Sequence, residues 1–208
     1  MRSPDRTLIE EYRPVGGLAC LDFVNTVDWR GAEQPHELLV DAAAVDTWIA
    51  LALKGPALAL TSAEVVRLTT FRECLYRLIN DGGGAGDLTA LNAALAGAGT
   101  RERVVMAETG FQWAREPTAT LDGLMVRLAR STADLLVDPT RRARVKACGD
   151  DRCGWLFLDS SRAGNRRWCS MATCGNRDKA RAHYRRHKRE RPLQPREPRN
   201  IPSKLLDF

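Results

Sequence analysis

Four cysteines in the last third of the chain, Cys148, Cys153, Cys169 and Cys174, constrain its folding more than any other feature. Two C-x4-C pairs stand fifteen residues apart. Two short thiol-bearing loops separated by roughly a hairpin's length of chain can surround one ion with a tetrahedron of sulfurs, as structural zinc requires. The rival reading, a pair of disulfides, needs an oxidising compartment. Met1 to Asp5 lack the apolar core of a signal peptide. No run approaches the ~18 apolar residues of a membrane span. A cytoplasmic protein with reduced thiols is therefore expected, holding one structural Zn2+ through the four cysteines. Oxidation of such thiolates would release the ion, although nothing in the sequence demands it.

Charge is divided as unevenly as cysteine. Residues 1–140 carry 13 Lys/Arg against 19 Asp/Glu, whereas residues 141–191 carry 16 against 5. A basic module joined to an acidic body points to a polyanionic partner for the module alone. The chain divides accordingly into an N-terminal domain (1–140), a metal module (141–191) and a Pro-rich extended tail (192–208).

Hydrophobic periodicity makes the body mostly helical. Helices are expected over 40–53, 62–80, 87–97 and 119–137, with a β-hairpin pairing Val104–Met106 and Phe111–Trp113. Thr61-Ser62 before Glu64 is an N-cap signal, and Asp138-Pro139 stops the last helix. The apolar run from Gly16 to Val27 could be a strand turning into a helix. Cys20 and Cys74 read as core side chains. Gly82–Gly86 lacks the flanking pattern of a phosphate loop and reads as a flexible break. The body holds no acid–base pair, nucleophile or second metal cluster, so an enzyme is not expected. Asp22, Asn25 and Thr26, with Trp29, could line a ligand pocket, but capping or internal hydrogen bonding is the competing role.

The metal module starts with alternation over Arg141–Cys148, continues as a strand over Gly154–Ser161 and turns over Arg162–Arg167. Knuckle, hairpin, knuckle, helix is the order of a treble-clef finger. Arg167-Trp-Cys-Ser-Met171, Cys174-Gly-Asn-Arg177 and Lys179-Ala180 resemble the CGNR zinc-finger proteins, as does the Cys153–Ser161 segment. Leu21-Asp-Phe-Val-Asn-Thr26 is similar to the opening of the ABATE-type domain that precedes this finger. The resemblance implies a bacterial-type, stress-linked transcription regulator. Its α+β N-terminal domain would sense a ligand or mediate homodimerisation, and its treble-clef-like zinc finger would bind DNA.

The helix after Cys174 supports that reading independently. At about 100° per residue, Arg177, Arg181, Arg185, Lys188, Arg189 and Arg191 share one broad arc. Ala180, His183, Tyr184 and His187 make a less charged face suited to packing on the hairpin, flanked by Lys179 and Arg186. So dense an arc repels itself unless a polyanion neutralises it, although a solvated basic face is the plain alternative. Asn176 could read adenine or cap the helix. Arg166 and Arg167 approach the second cysteine pair and join the candidate contacts. His183 and His187, at i and i+4, could share a metal. Four cysteines already complete one site, which favours packing or phosphate contact for the histidines. DNA is favoured over RNA, for which Trp155 and Trp168 would be the stacking platforms. Loss of Cys169 or Cys174 is expected to unfold the C-terminal third and spare the body.

Overall fold

The computed structural model describes residues 7–97, 102–107, 110–115 and 119–190. The chain enters through α1 (Thr7–Glu10) and reaches α2 (Ala19–Val24), the centre of the molecule. Cys20, Leu21, Asp22, Phe23 and Val24 are all buried there. A helix this short is unstable alone; packing against the longer helices holds it. The short hairpin β1 (Val27–Asp28) and β2 (His36–Glu37) follows, which the periodicity did not suggest.

Next comes α3 (Ala42–Trp48), capped by Asp41 and widening into a π-turn at Ile49–Leu53. Then α4 (Ser62–Asn80) starts with a reciprocal capping box: the Thr61 hydroxyl accepts from the Glu64 N–H, and the Glu64 carboxylate accepts from the Thr61 N–H. Its apolar stripe, Val65, Leu68, Phe71, Leu75 and Leu78, lies in the core. The glycine stretch is a tight turn and not a loose break. Gly83 takes a left-handed φ of 57°, a Cβ there would press on Leu78, and α5 (Ala85–Ala96) begins at once. The strands β3 (Glu102–Ala107) and β4 (Gly110–Arg115) pair antiparallel, with Val105 opposite Gln112.

The 17-residue α6 (Leu121–Val137) buries Leu121, Leu124, Leu128, Ala129 and Leu135. Beyond it, α7 (Pro139–Arg142) is a single turn capped by Asp138, with proline at its first position. The C-terminal region comprises β5 (Val145–Ala147), β6 (Leu156–Leu158), a π-turn at Met171–Gly175 and α8 (Asn176–Glu190). The fold is thus α+β, mostly helical with few strands.

Successive strand residues point to opposite faces, and β6 uses this to join two cores. Leu156 enters the large cluster built by α2, α3, α4 and α6. Phe157 enters a small cluster with Cys148, Cys153, Cys169 and Cys174. Among the described residues no helix is long and apolar enough to cross a membrane.

Candidate metal centre and nucleic-acid interface

The first cysteine loop is the turn of the β5–β6 hairpin, in which Val145 faces Leu158 and Ala147 faces Leu156. Main-chain bonds fix it before any metal is considered: Cys148 N–H donates to Trp155 O at 2.8 Å and Cys153 N–H to Asp150 O at 2.9 Å. The second loop is tied on where Gly149 N–H donates to Arg167 O at 2.7 Å. A side chain at Gly149 would strike that same oxygen. The π-turn then delivers Cys174 and runs straight into α8.

All four thiols are buried, and their sulfurs lie within 4.8 Å of one another, the only such ligand group among the described residues. Cys153 Sγ is 3.7 Å from Cys169 Sγ, and Cys169 Sγ is 3.6 Å from Cys174 Sγ. A tetrahedron with Zn–S bonds of about 2.3 Å places its sulfurs about 3.8 Å apart. The donor set therefore fits one structural zinc. Hydrogen bonds from Cys153 and Cys169 pull the Cys148 thiol down, while sharing with Cys148 pushes Cys153 up. Four such sulfurs cannot all ionise without a cation among them. The four cysteines suffice, so no histidine is needed.

The module is built into the body and does not hang from it. The Asn25 side chain, fully buried, donates to Leu156 O and accepts from Leu156 N–H, both at 2.8 Å. Gly16 O accepts from Leu158 N–H at 2.8 Å. Together they close the open edge of β6, which would otherwise expose unpaired backbone. Trp155 Nε1 donates to Val27 O at 2.9 Å, and the Arg30 and Gly31 N–H groups donate to Cys153 O and Arg152 O. The two chains approach so closely that a Cβ on Gly31 would lie 2.1 Å from Asp151 O. Only glycine fits there.

The residues proposed for a ligand pocket are therefore occupied by the fold. Asp22 Oδ1 accepts from Gly16 N–H at 2.8 Å, and burial lifts its carboxyl to about 6. Thr26 donates to Phe23 O and accepts from the buried Arg72, whose guanidinium grips Glu37 with two 2.6 Å bonds. This Arg72–Glu37 clamp, extended by Glu73 to Arg30, had no periodic signal in the sequence. Trp29 sits at φ 55°, with the guanidiniums of Arg152 (4.8 Å) and Arg177 (4.2 Å) over its ring.

The basic residues divide into two groups. Arg166 is turned inward over the Phe157 ring at 4.3 Å, and its guanidinium donates to the carbonyls of Val15, Trp168 and Cys169. It ties the second knuckle to Phe157 of the hairpin and to Val15. Arg177 and Arg181 donate to Asp150, whose side chain is wholly buried, at 3.1 and 2.8 Å. Burial alone would raise the Asp150 carboxyl, but the Arg181 bond, the Arg152 N–H and the Arg177 charge outweigh it and leave the carboxyl depressed. The first turns of α8 are thus docked by the very arc read as its outward face.

The face expected to pack on the hairpin is instead turned to solvent: Lys179, Ala180, His183, Tyr184, Arg186 and His187 are exposed, as is Arg185. Lys179, Arg185 and Arg186 enter no ion pair among the described residues. Arg167 is exposed and stacks over Trp168 at 4.9 Å. Asn176 donates its side-chain amide back to Ala172 O at 3.1 Å across the π-turn, whereas an N-cap would accept from a helix N–H. The side chains of Lys188 and Arg189, like Arg191 and the tail, lie outside the described residues. Trp155 and Trp168 pack around the thiol cluster, which leaves Trp155 in particular poorly placed as a stacking platform.

Residues 144–187 match the family model described as CGNR zinc finger. Residues 17–139 match the ABATE model, described as "Putative stress-induced transcription regulator". No curated protein matches the chain.

Proposed function

The chain belongs to the ABATE family and carries a CGNR zinc finger, and on that premise we propose that it is a zinc-dependent transcription regulator that grips duplex DNA through α8. The observation that carries this reading is the division of charge on α8. Asp150 consumes Arg177 and Arg181 to fix the helix, and Lys179, Arg185 and Arg186 remain exposed on its solvent side. Exposed cations that enter no ion pair among the described residues are suited to phosphate contacts. Zinc, when bound, would cross-link the two knuckles and so set the origin and direction of α8.

The acidic body, in this reading, is non-catalytic. It senses a ligand or brings two copies together in the cytoplasm, since one short helix gives little sequence discrimination alone. The body meets the finger at Asn25, Val27, Arg30 and Gly31, so a change in the body has a direct path to the helix.

Binding of the zinc-loaded full chain to duplex DNA, duplex RNA and single strands at two salt concentrations tests the proposal, together with selection from a random duplex pool. We expect duplex DNA to bind tightest, with affinity falling steeply as salt rises and one sequence enriched. Preference for RNA, or weak salt-insensitive binding that enriches nothing, would overturn it.

A further inference from the structure

The exposed face of α8 carries a second candidate metal site, distinct from the thiol cluster. His183 and His187 project from successive turns with their Nε2 atoms 3.0 Å apart, ring centroids 4.3 Å apart and planes inclined at 59°. Two imidazoles at i and i+4 on one helical face form a recognised chelating pair. We propose that this pair binds one divalent transition-metal ion, reversibly and independently of the structural zinc.

The nitrogen separation selects the kind of ion. With metal–nitrogen bonds of about 2.1 Å, neighbouring positions of an octahedral or square-planar ion lie about 3.0 Å apart, whereas tetrahedral positions lie about 3.4 Å apart. In the structure this spacing is a hydrogen bond between the rings; an ion held at right angles would replace the shared proton, which moves to Nδ1 or to solvent, with little change in nitrogen separation. Nickel(II) and copper(II), which favour those geometries and imidazole ligands, fit better than zinc. The remaining positions would be filled by water, since the pair stands in solvent. The helix is held at its start by Asp150 and by the π-turn bearing Cys174. Neighbouring Lys179 and Arg186 repel any cation, which makes the site labile where the buried sulfurs are structural.

Nickel(II) is the probe of choice, because copper(II) also oxidises thiols. Calorimetric titration of the zinc-loaded full chain with Ni2+ should show one ion bound per chain beyond the resident zinc, with zinc content unchanged. His183→Ala and His187→Ala should each weaken that binding by at least about tenfold, with helicity and zinc content preserved. His36→Ala, which alters the remaining histidine of the chain, should leave it intact. Absence of a second ion, displacement of zinc by Ni2+ in place of added binding, or binding by both α8 variants as tight as that of the unsubstituted chain would overturn the proposal.

Discussion

Two aspartates show how single residues set the stability of this protein, with opposite signs. Burial holds the Asp22 carboxyl at about 6, only partly offset by the Gly16 N–H. A carboxyl raised above its unfolded value favours the protonated fold; the stabilisation is complete below about pH 4 and is lost as pH rises through about 6. Asp22→Asn should therefore stabilise the protein by about 2–3 kcal/mol at pH 7. It should also flatten the stability profile between pH 4 and 6, as read by urea denaturation. Asp150 behaves in reverse, its carboxyl depressed despite burial. Its contribution is present above the unfolded pKa and fades as pH falls below about 4. Asp150→Ala should cost about 2 kcal/mol, below the usual loss for a broken buried pair because Arg177 and Arg181 can swing toward water. Hydrogen exchange should quicken first in the opening turns of α8.

At the scale of elements, β6 and α2 depend on each other through Asn25. Removing that side chain strands the N–H and C=O of Leu156 in the core. Asn25→Ala should cost about 2–4 kcal/mol in denaturant unfolding, with the zinc knuckles loosening as well. Much of the element order was legible in the sequence because its signals are local. Thr61 and Glu64 announce α4, leucine spacing announces α6, and the C-x4-C pairs announce the knuckles. The orientation of α8 was not legible. A helical wheel shows that the cations share an arc, but the carboxylate that meets them, Asp150, lies 27 residues before Arg177 in the other knuckle. The same holds for Asn25, 131 residues from its partner, and for the Arg72–Glu37 clamp. Pairings between distant polar residues carry no period. Reading Asn25 and Thr26 as internal hydrogen-bonding groups was available from their residue types; which groups they bond was not.

At the scale of the molecule, body and finger share a hydrogen-bonded boundary, which predicts that losing the metal disturbs the body as well as the C-terminal third. Stripping zinc with a chelator should lower the melting temperature of the whole chain and raise hydrogen exchange at residues 25–31 as well as 141–190. Protection lost only from the C-terminal segment would show that the boundary contributes little. The central claim concerns which cations on α8 face a polyanion, and salt titration of duplex-DNA affinity reads it most directly. Replacing Lys179, Arg185 and Arg186 together by alanine should reduce the slope of log affinity against log salt by about 3, whereas Arg181→Ala should leave it nearly unchanged. A slope untouched by the triple replacement, or one that drops on losing Arg181, would contradict the account.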